Sequence, residues 1–176
     1  YRDRRQRQMC IRDSYTGAAP NQQAIPATDY YLEELGIEKF ALLGTDYVYP
    51  RTTNKILNQY LIDKGISESD IFVNYTPFGH SDWSKIVADV VALGADGKKV
   101  GVISTINGDA NIGFYKELAA AGVNAEDIPV VAFSVGEEEL SGLDTTNLVG
   151  HLAAWNYFQS AESDLNTAFI KSCLLY

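Results

Sequence analysis

The sequence predicts an α/β fold: a doubly wound, mainly parallel sheet of about five strands with helices on both faces. Two observations support this prediction. Short apolar runs alternate with segments of about 12 residues whose apolar residues recur at helical spacing, which is typical of βαβ units. Three of the apolar runs end in small and polar residues. In a parallel sheet, such strand ends meet at one edge, where these folds bind ligands.

The first half of the chain contains two strand–helix repeats. Tyr30, Tyr31 and Leu35 are expected on the apolar face of the first helix. The second helix is expected to bury the stripe formed by Ile56, Leu57, Tyr60 and Leu61. The predicted elements are a helix over 20–35, or from Pro26 if proline occupies its first turn, a strand over 39–43, a helix over 51–64 and a strand over 70–75.

The second half continues the alternation. The helix that starts after Ser81 or Asp82 is expected to bury Trp83, Ile86, Val87, Val90 and Val91. The next helix is expected to bury Ile112, Tyr115, Leu118 and Ala119. The remaining predictions are strands over 99–104, 129–133 and 148–155, a helix over 110–121, and a last helix over 163–170.

Composition limits the function classes. Of the 176 residues, 46% are hydrophobic, which indicates a globular protein, and the net charge of −9 argues against a nucleic-acid partner. No apolar run reaches membrane-spanning length. The segments 1–14 and 171–176 hold both cysteines and resemble translated adapter sequence, so both are expected to be non-native. The rest of the chain therefore offers no disulfide, thiolate metal site or cysteine nucleophile.

The loop after the first strand carries two phenols. Tyr47 and Tyr49 are predicted on one side of an extended stretch, where they can wall a pocket and offer hydroxyl groups to a small polar ligand. The alternative is that both rings pack on the helix below. Asp46 is a turn residue in either case.

Two further loops are candidate ligand contacts. After the third strand, Thr105 and Ile106 are expected to touch ligand, while Asn107 and Asp109 can cap the following helix. After the fourth strand, a carboxylate such as Glu137 can accept hydrogen bonds from an amide or ammonium group. The alternatives are pure capping for the first loop and a solvated acidic turn for the second.

The chain shows no convincing catalytic set. His80 and Asp82 suggest a dyad or metal site, but a turn before a capped helix explains them better. The other histidine, His151, lies far along the chain without metal-site spacing. The sequence contains no nucleophile elbow, Walker loop or dinucleotide fingerprint. We therefore expect no catalytic residues, no metal and no cofactor.

Several motifs together resemble the urea-binding components of urea ABC transporters, which are related to short-chain amide and branched-chain amino-acid receptors of the type I periplasmic fold. The motifs span 15–23, 43–51, 75–83, 104–111 and 133–139. In sequence they read YTGAAPNQQ, LGTDYVYPR, YTPFGHSDW, STINGDAN and FSVGEEE. The likeness extends from about residue 15 to residue 170.

The resemblance implies a division of the chain. Family members have two α/β lobes that close on the ligand, and this chain matches the C-terminal lobe. The implied boundaries are an inter-lobe crossover at 15–26, the ligand-binding lobe at 27–155, and a return crossover and helix at 156–170. The N-terminal lobe and any export signal are expected to lie outside this sequence.

The resemblance also implies ligand contacts. By family position, these contacts are Tyr49 with Tyr47 nearby, Thr105 or Ile106, and Ser134 or Glu137. The implied function is the substrate-binding component of an ABC importer, which delivers urea or a short-chain amide to a membrane permease from a periplasmic or lipid-anchored position. The alternatives are a cytoplasmic amide or amino-acid sensor that regulates gene expression, and an amidohydrolase that uses His80 and Asp82.

Overall fold

A computed structural model describes residues 18–140 and 145–173 of the protein. The segment 1–14 and the start of the predicted crossover, 15–17, lie outside the described residues. So do 174–176 of the predicted tail. The final helix, however, extends through Cys173 and so includes the first part of that tail.

Helices and strands alternate along the described chain. The helices are α1 (Ala24–Glu33), α2 (Val48–Asp63), α3 (Ser84–Leu93), α4 (Ala110–Ala120), α5 (Glu137–Leu140) and α6 (Asp164–Cys173). The strands are β1 (Lys39–Thr45), β2 (Ile71–Thr76), β3 (Val100–Thr105), β4 (Val130–Ala132) and β5 (Leu152–Ala153). Short 3₁₀ turns occupy Glu68–Asp70 and Thr145–Asn147.

The five strands form one parallel sheet in the order β2-β1-β3-β4-β5. The predicted fold class is therefore confirmed. The chain leaves β1 toward β2 and returns to place β3 on the other side of β1. The crevice between the carboxyl ends of β1 and β3 is the point where the strand order reverses, which is the usual ligand position in such sheets.

Two apolar clusters cover the two faces of the sheet. Along β1, Phe40 and Leu42 point into the cluster shared with α1 and α2. The alternate residues Ala41 and Leu43 point into the cluster shared with α3 and α4. This period-two division buries both faces and explains why β1 is apolar nearly throughout.

Some element details differ from the sequence predictions. The first helix begins at Ala24, between the two predicted starts at residue 20 and Pro26, so Pro26 lies in its first turn. Strand β5 has two residues rather than eight. On α4, the predicted residues Tyr115 and Leu118 are buried, but the predicted Ile112 is 39% exposed. The buried face also includes Phe114, whose ring centroid lies 5.2 Å from that of Trp83. Three further predicted core residues are substantially exposed: Tyr30, Ile56 and Val91.

No helix within 18–140 or 145–173 combines the length and apolar character needed to cross a membrane.

His151 secures the short strand β5 to the start of β4. The backbone N–H of Val130 donates to Nδ1 of His151 at 3.0 Å, so this ring nitrogen must be unprotonated. The ring also lies against Tyr115, with centroids 5.7 Å apart. Burial lowers the pKa of His151 below its ordinary value of 6.5.

We predict a loss of stability at mildly acidic pH that depends on His151. Between the lowered folded pKa and about 6.5, the unfolded chain binds more protons than the folded chain, so the free energy of unfolding falls as pH falls through this window. In His151→Asn, the amide oxygen can replace Nδ1 as acceptor without titrating. Urea unfolding at pH 7.5 and 5.5 should show a smaller pH-dependent loss in this variant than in the wild type. His80→Asn is the matched control and should keep the wild-type loss; equal losses in all three proteins would contradict the prediction.

Candidate functional site

The loops after β1, β2, β3 and β4 lie at the carboxyl edge of the sheet, because all these strands are parallel. The predicted site residues after β1, β3 and β4 are therefore brought to one edge. The loops that flank the β1/β3 reversal carry Tyr47, Tyr49 and Asn107.

The two tyrosines do not lie on an extended stretch, as the sequence predicted. Tyr47 is extended, with φ −159° and ψ −176°, but helix α2 begins at Val48, so Tyr49 is helical. Pro50 permits this early start because proline fits the first turn of a helix. The two ring centroids are 6.1 Å apart, and Phe78 from the loop after β2 lies 5.1 Å from Tyr47. The three rings form an aromatic row, Phe78–Tyr47–Tyr49. The sequence predicted the two tyrosines as site residues, but not Phe78.

Tyr49 reaches the loop after β4. Burial raises the pKa of the Tyr49 phenol, and a hydrogen bond with the Ser134 side chain opposes that rise. Both side chains are half-buried. This contact joins the loops after β1 and β4 across the end of β3, so two predicted site residues meet directly.

Thr105 and Ile106 are completely buried, so in this structure their side chains support the edge rather than face solvent. The hydroxyl of Thr105 donates to the Leu43 carbonyl oxygen at 3.0 Å, and Ile106 packs in the core on the α3 and α4 side. Asn107 is the half-buried residue that follows them at the edge.

Three polar side chains hold the loop after β3. The backbone N–H of Asn107 donates to Oγ1 of the buried Thr45 at 2.9 Å, and the Asn107 amide donates to the Thr105 carbonyl oxygen at 2.9 Å. The Asn111 amide donates to the carbonyl oxygens of Ile106 and Gly108, at 3.1 Å each. These bonds tie the loop to β1 and to its own helix.

The predicted helix caps are not the ones the structure uses. Asp109 occupies the N-cap position of α4, but its side chain makes no capping hydrogen bond. Asn107 binds the Thr105 carbonyl oxygen instead. Asn111, which was not among the predicted site residues, stabilises this turn by donating to carbonyl groups from inside the helix. An asparagine in the first helical turn was the only signal that could have indicated it.

Gly44 allows α2 to approach the sheet closely. A Cβ atom at this position would lie 2.5 Å from Oγ1 of Thr105 and 2.7 Å from Cβ of Pro50. Real Cβ contacts are not this short, so a larger residue would displace the start of α2. The position of Tyr49 on that first turn therefore depends on a glycine in β1.

The arginine of the edge loops is paired within the protein. Arg51 donates from Nε to Asp46, and its guanidinium carbon lies 4.6 Å from the Tyr75 ring centroid. The hydrogen bond from Arg51 lowers the pKa of Asp46. Arg51 is the only lysine or arginine in the described loops 46–51, 77–83, 106–109 and 133–136. These four loops therefore present no lysine or arginine that lacks a carboxylate partner.

Glu137, a predicted ligand acceptor, binds another part of the chain. Its two carboxylate oxygens accept hydrogen bonds from the backbone N–H groups of Gln159 and Ser160, at 2.6 and 2.9 Å. Hydrogen bonds from Ser160 and Gln159 lower the pKa of Glu137. The carboxylate anchors the segment that follows β5, and a ligand would have to compete with these two donors.

His80 and Asp82 form the turn before α3. His80 Nε2 lies 2.7 Å from the backbone oxygen of Asp82, whereas the Asp82 carboxylate accepts from the hydroxyl and backbone N–H of Ser84. The described residues contain no group of three or more His, Cys, Asp or Glu side chains that could hold a metal ion.

Comparison with known proteins identifies the family. A family model described as "Periplasmic binding protein domain" matches residues 11–174. The chain belongs to this family.

Solved structures of periplasmic binding proteins share the fold. A solute-binding protein of an ABC transporter from R. palustris, in complex with 4-hydroxybenzoate, has a TM-score of 0.72 at 20% identity, covering 87% of this chain and 40% of that one. An amino-acid ABC transporter substrate-binding protein from Pseudomonas fluorescens Pf-5 has a TM-score of 0.67 at 16% identity, covering 86% and 38%.

A branched-chain amino acid transporter protein from Rhodopseudomonas palustris CGA009 has a TM-score of 0.60 at 16% identity. The match covers 89% of this chain and 41% of that one. The chain thus spans about two fifths of the length of these periplasmic binding proteins. At these identities the structures show a common fold and leave the ligand open.

We predict that the hydroxyl group of Thr45 holds the loop after β3. Thr45→Val keeps the shape but removes the acceptor of the Asn107 N–H, which should lower the free energy of unfolding by about 1–2 kcal/mol. Thr45→Ser keeps the acceptor and is the control. Urea unfolding monitored by circular dichroism measures both variants. Retention of wild-type stability in Thr45→Val would contradict this role.

Proposed function

We propose that the chain is the C-terminal ligand-binding lobe of the substrate-binding component of an ABC importer, and that it helps to bind urea or a related short-chain amide. The lobe would comprise 27–155, with crossovers at 15–26 and 156–170. The family match and the shared fold of ABC substrate-binding proteins support the transport role. Delivery to a membrane permease from an extracytoplasmic position belongs to the same proposal, as does binding without catalysis.

The observation that carries the amide proposal is the pairing of charges at the edge. A carboxylate ligand normally needs a cation, but Arg51 is already bound to Asp46. The edge also offers the phenols of Tyr47 and Tyr49, the Ser134 hydroxyl and the Asn107 amide. These groups are neutral, and a neutral ligand avoids the cost of burying an unpaired charge.

The chemistry of these groups matches a small amide. Phenol and serine hydroxyl groups both donate and accept hydrogen bonds, and the asparagine side chain does the same with two separate groups. Urea has one carbonyl acceptor and two NH₂ donor groups, so it needs acceptors and donors together. The aromatic row adds a flat apolar wall. We propose Tyr47, Tyr49, Asn107 and Ser134 as the direct contacts, with Thr105, Ile106, Asp109 and Glu137 shaping the edge.

The first test is calorimetric titration of the complete protein with urea, acetamide, leucine and 4-hydroxybenzoate. We expect heat from urea or acetamide. Tyr49→Phe and Ser134→Ala should each weaken that binding about tenfold, because each removes one hydrogen-bonding group. Tyr30→Phe removes an exposed phenol on α1 and should leave affinity unchanged. Binding of leucine or 4-hydroxybenzoate without urea or acetamide binding would refute the amide assignment.

The second test removes the carboxylate partner of Arg51, the one arginine or lysine of the described edge loops. Asp46→Asn should leave Arg51 without its carboxylate partner and so improve the binding of acetate relative to acetamide about tenfold. The ratio of the two affinities, measured by competition calorimetry, is the readout. Lys85→Asn alters an exposed ion pair on α3 and is the control. An unchanged ratio in Asp46→Asn would show that charge pairing at Arg51 does not set the ligand class.

A further inference from the structure

The side-chain amide of Gln23 joins three separate parts of the chain. Its nitrogen donates to the carbonyl oxygen of Phe133 at 3.2 Å and to that of Ala154 at 2.5 Å. These acceptors lie 110 and 131 residues away in sequence. A primary amide nitrogen carries two N–H groups, so one side chain can make both bonds at once.

The two acceptor residues lie next to a proposed ligand contact and next to the short strand β5. Phe133 directly precedes Ser134, the residue that contacts Tyr49. Ala154 directly follows β5, and its N–H donates to the Ala132 carbonyl oxygen at 2.9 Å. The β4–β5 ladder has only two register pairs, Val131↔Leu152 and Ala132↔Ala153. The Gln23 amide therefore reinforces the least paired part of the sheet, next to a proposed ligand contact.

The Gln23 amide is not used to cap its own helix, so it can bind carbonyl groups at the end of the sheet. Gln23 is the N-cap residue of α1, but its side chain makes no capping hydrogen bond there. Helix α1 is held by the buried residues Ala24, Thr28 and Tyr31. Ala24 and Tyr31 belong to the apolar cluster that includes Phe133, and Ala154 packs against this cluster. The amide thus lies where the segment before α1 and the segment after β5 run side by side.

We infer that Gln23 is a positioning residue for the ligand edge: it holds the segments before α1 and after β5 to the end of β4 and thereby places Ser134 against Tyr49. Its effect on ligand binding rests on the proposed function. Its effect on the two segments does not, and can be measured without ligand.

Hydrogen exchange measured by NMR tests the effect on the segments. Gln23→Leu keeps the side-chain bulk but removes both donors. The amides of Phe133, Gly136 and Ala154 should exchange about tenfold faster, since each lost hydrogen bond lowers the local opening free energy. The amide of Val102 in the central strand β3 is the internal reference. Gln22→Leu, at the exposed neighbouring residue, is the control and should not change these rates. Unchanged exchange in Gln23→Leu would overturn the inference.

Gln23→Glu separates hydrogen bonding from packing. A carboxylate cannot donate to a carbonyl group, whereas the protonated acid can donate one bond. Relative to Gln23→Leu at the same pH, Gln23→Glu should show no extra protection at pH 7 and slower exchange at pH 4. If the two variants match at both pH values, the side chain only fills space and the inference fails.

Ligand binding completes the test. If urea or acetamide binds the wild-type complete protein, Gln23→Leu should weaken it about tenfold and Gln22→Leu should not; unchanged affinity in Gln23→Leu would overturn the positioning role. If neither amide binds the wild type, the proposed function fails, and the exchange measurements still decide whether Gln23 holds the two segments.

Discussion

The central position of β1 constrains the rest of the structure. All seven of its residues are buried, and it pairs with β2 on one side and β3 on the other. Each face must therefore be covered by helices, and the chain must reverse its direction of strand addition beside β1. That reversal leaves the loops after β1 and β3 as the walls of a crevice that no helix fills. The candidate site follows from this topology before any particular side chain is considered.

A glycine and two threonines fix the backbone of the loops at this edge. Gly44 lets α2 start close to the sheet, and Thr45 and Thr105 use their hydroxyl groups to hold the neighbouring backbone. Because these groups are buried, their hydrogen bonds are costly to break without replacement. The half-buried side chains of Tyr47, Tyr49 and Asn107 thus lie on a backbone that is already fixed, which reduces the entropy lost when a ligand binds.

The sequence predicted this framework well where one strong physical signal decided the outcome. Continuous apolar runs of strand length located β1 and β3, because buried parallel strands need apolar residues on both faces. The prediction failed where weak local signals competed. Tyr47 and Tyr49 alternate as they would in a strand, yet the helix begins between them since Pro50 is compatible with a first turn.

The contacts of Glu137 and Gln23 lay beyond sequence reasoning for a different reason. Glu137 binds residues 22 and 23 positions away, and Gln23 binds carbonyl groups 110 and 131 positions away. No local periodicity encodes such pairs. Their partners are backbone groups, so the identity of the partner residue carries no signal either. The contact between Phe114 of α4 and Trp83, in the turn before α3, was likewise beyond local periodicity.

The pairing of charges at the edge has a consequence for selectivity. A carboxylate ligand that paired with Arg51 would have to displace Asp46 from this exposed ion pair, and the gain from the new pair would be offset by the loss of the old one. A cationic ligand that used Glu137 would have to draw this carboxylate away from two backbone donors. A neutral ligand that uses the hydroxyl and amide groups of the edge faces neither cost. On this lobe, discrimination therefore depends on hydrogen-bond complementarity, which penalises a ligand that leaves a buried donor or acceptor unpaired.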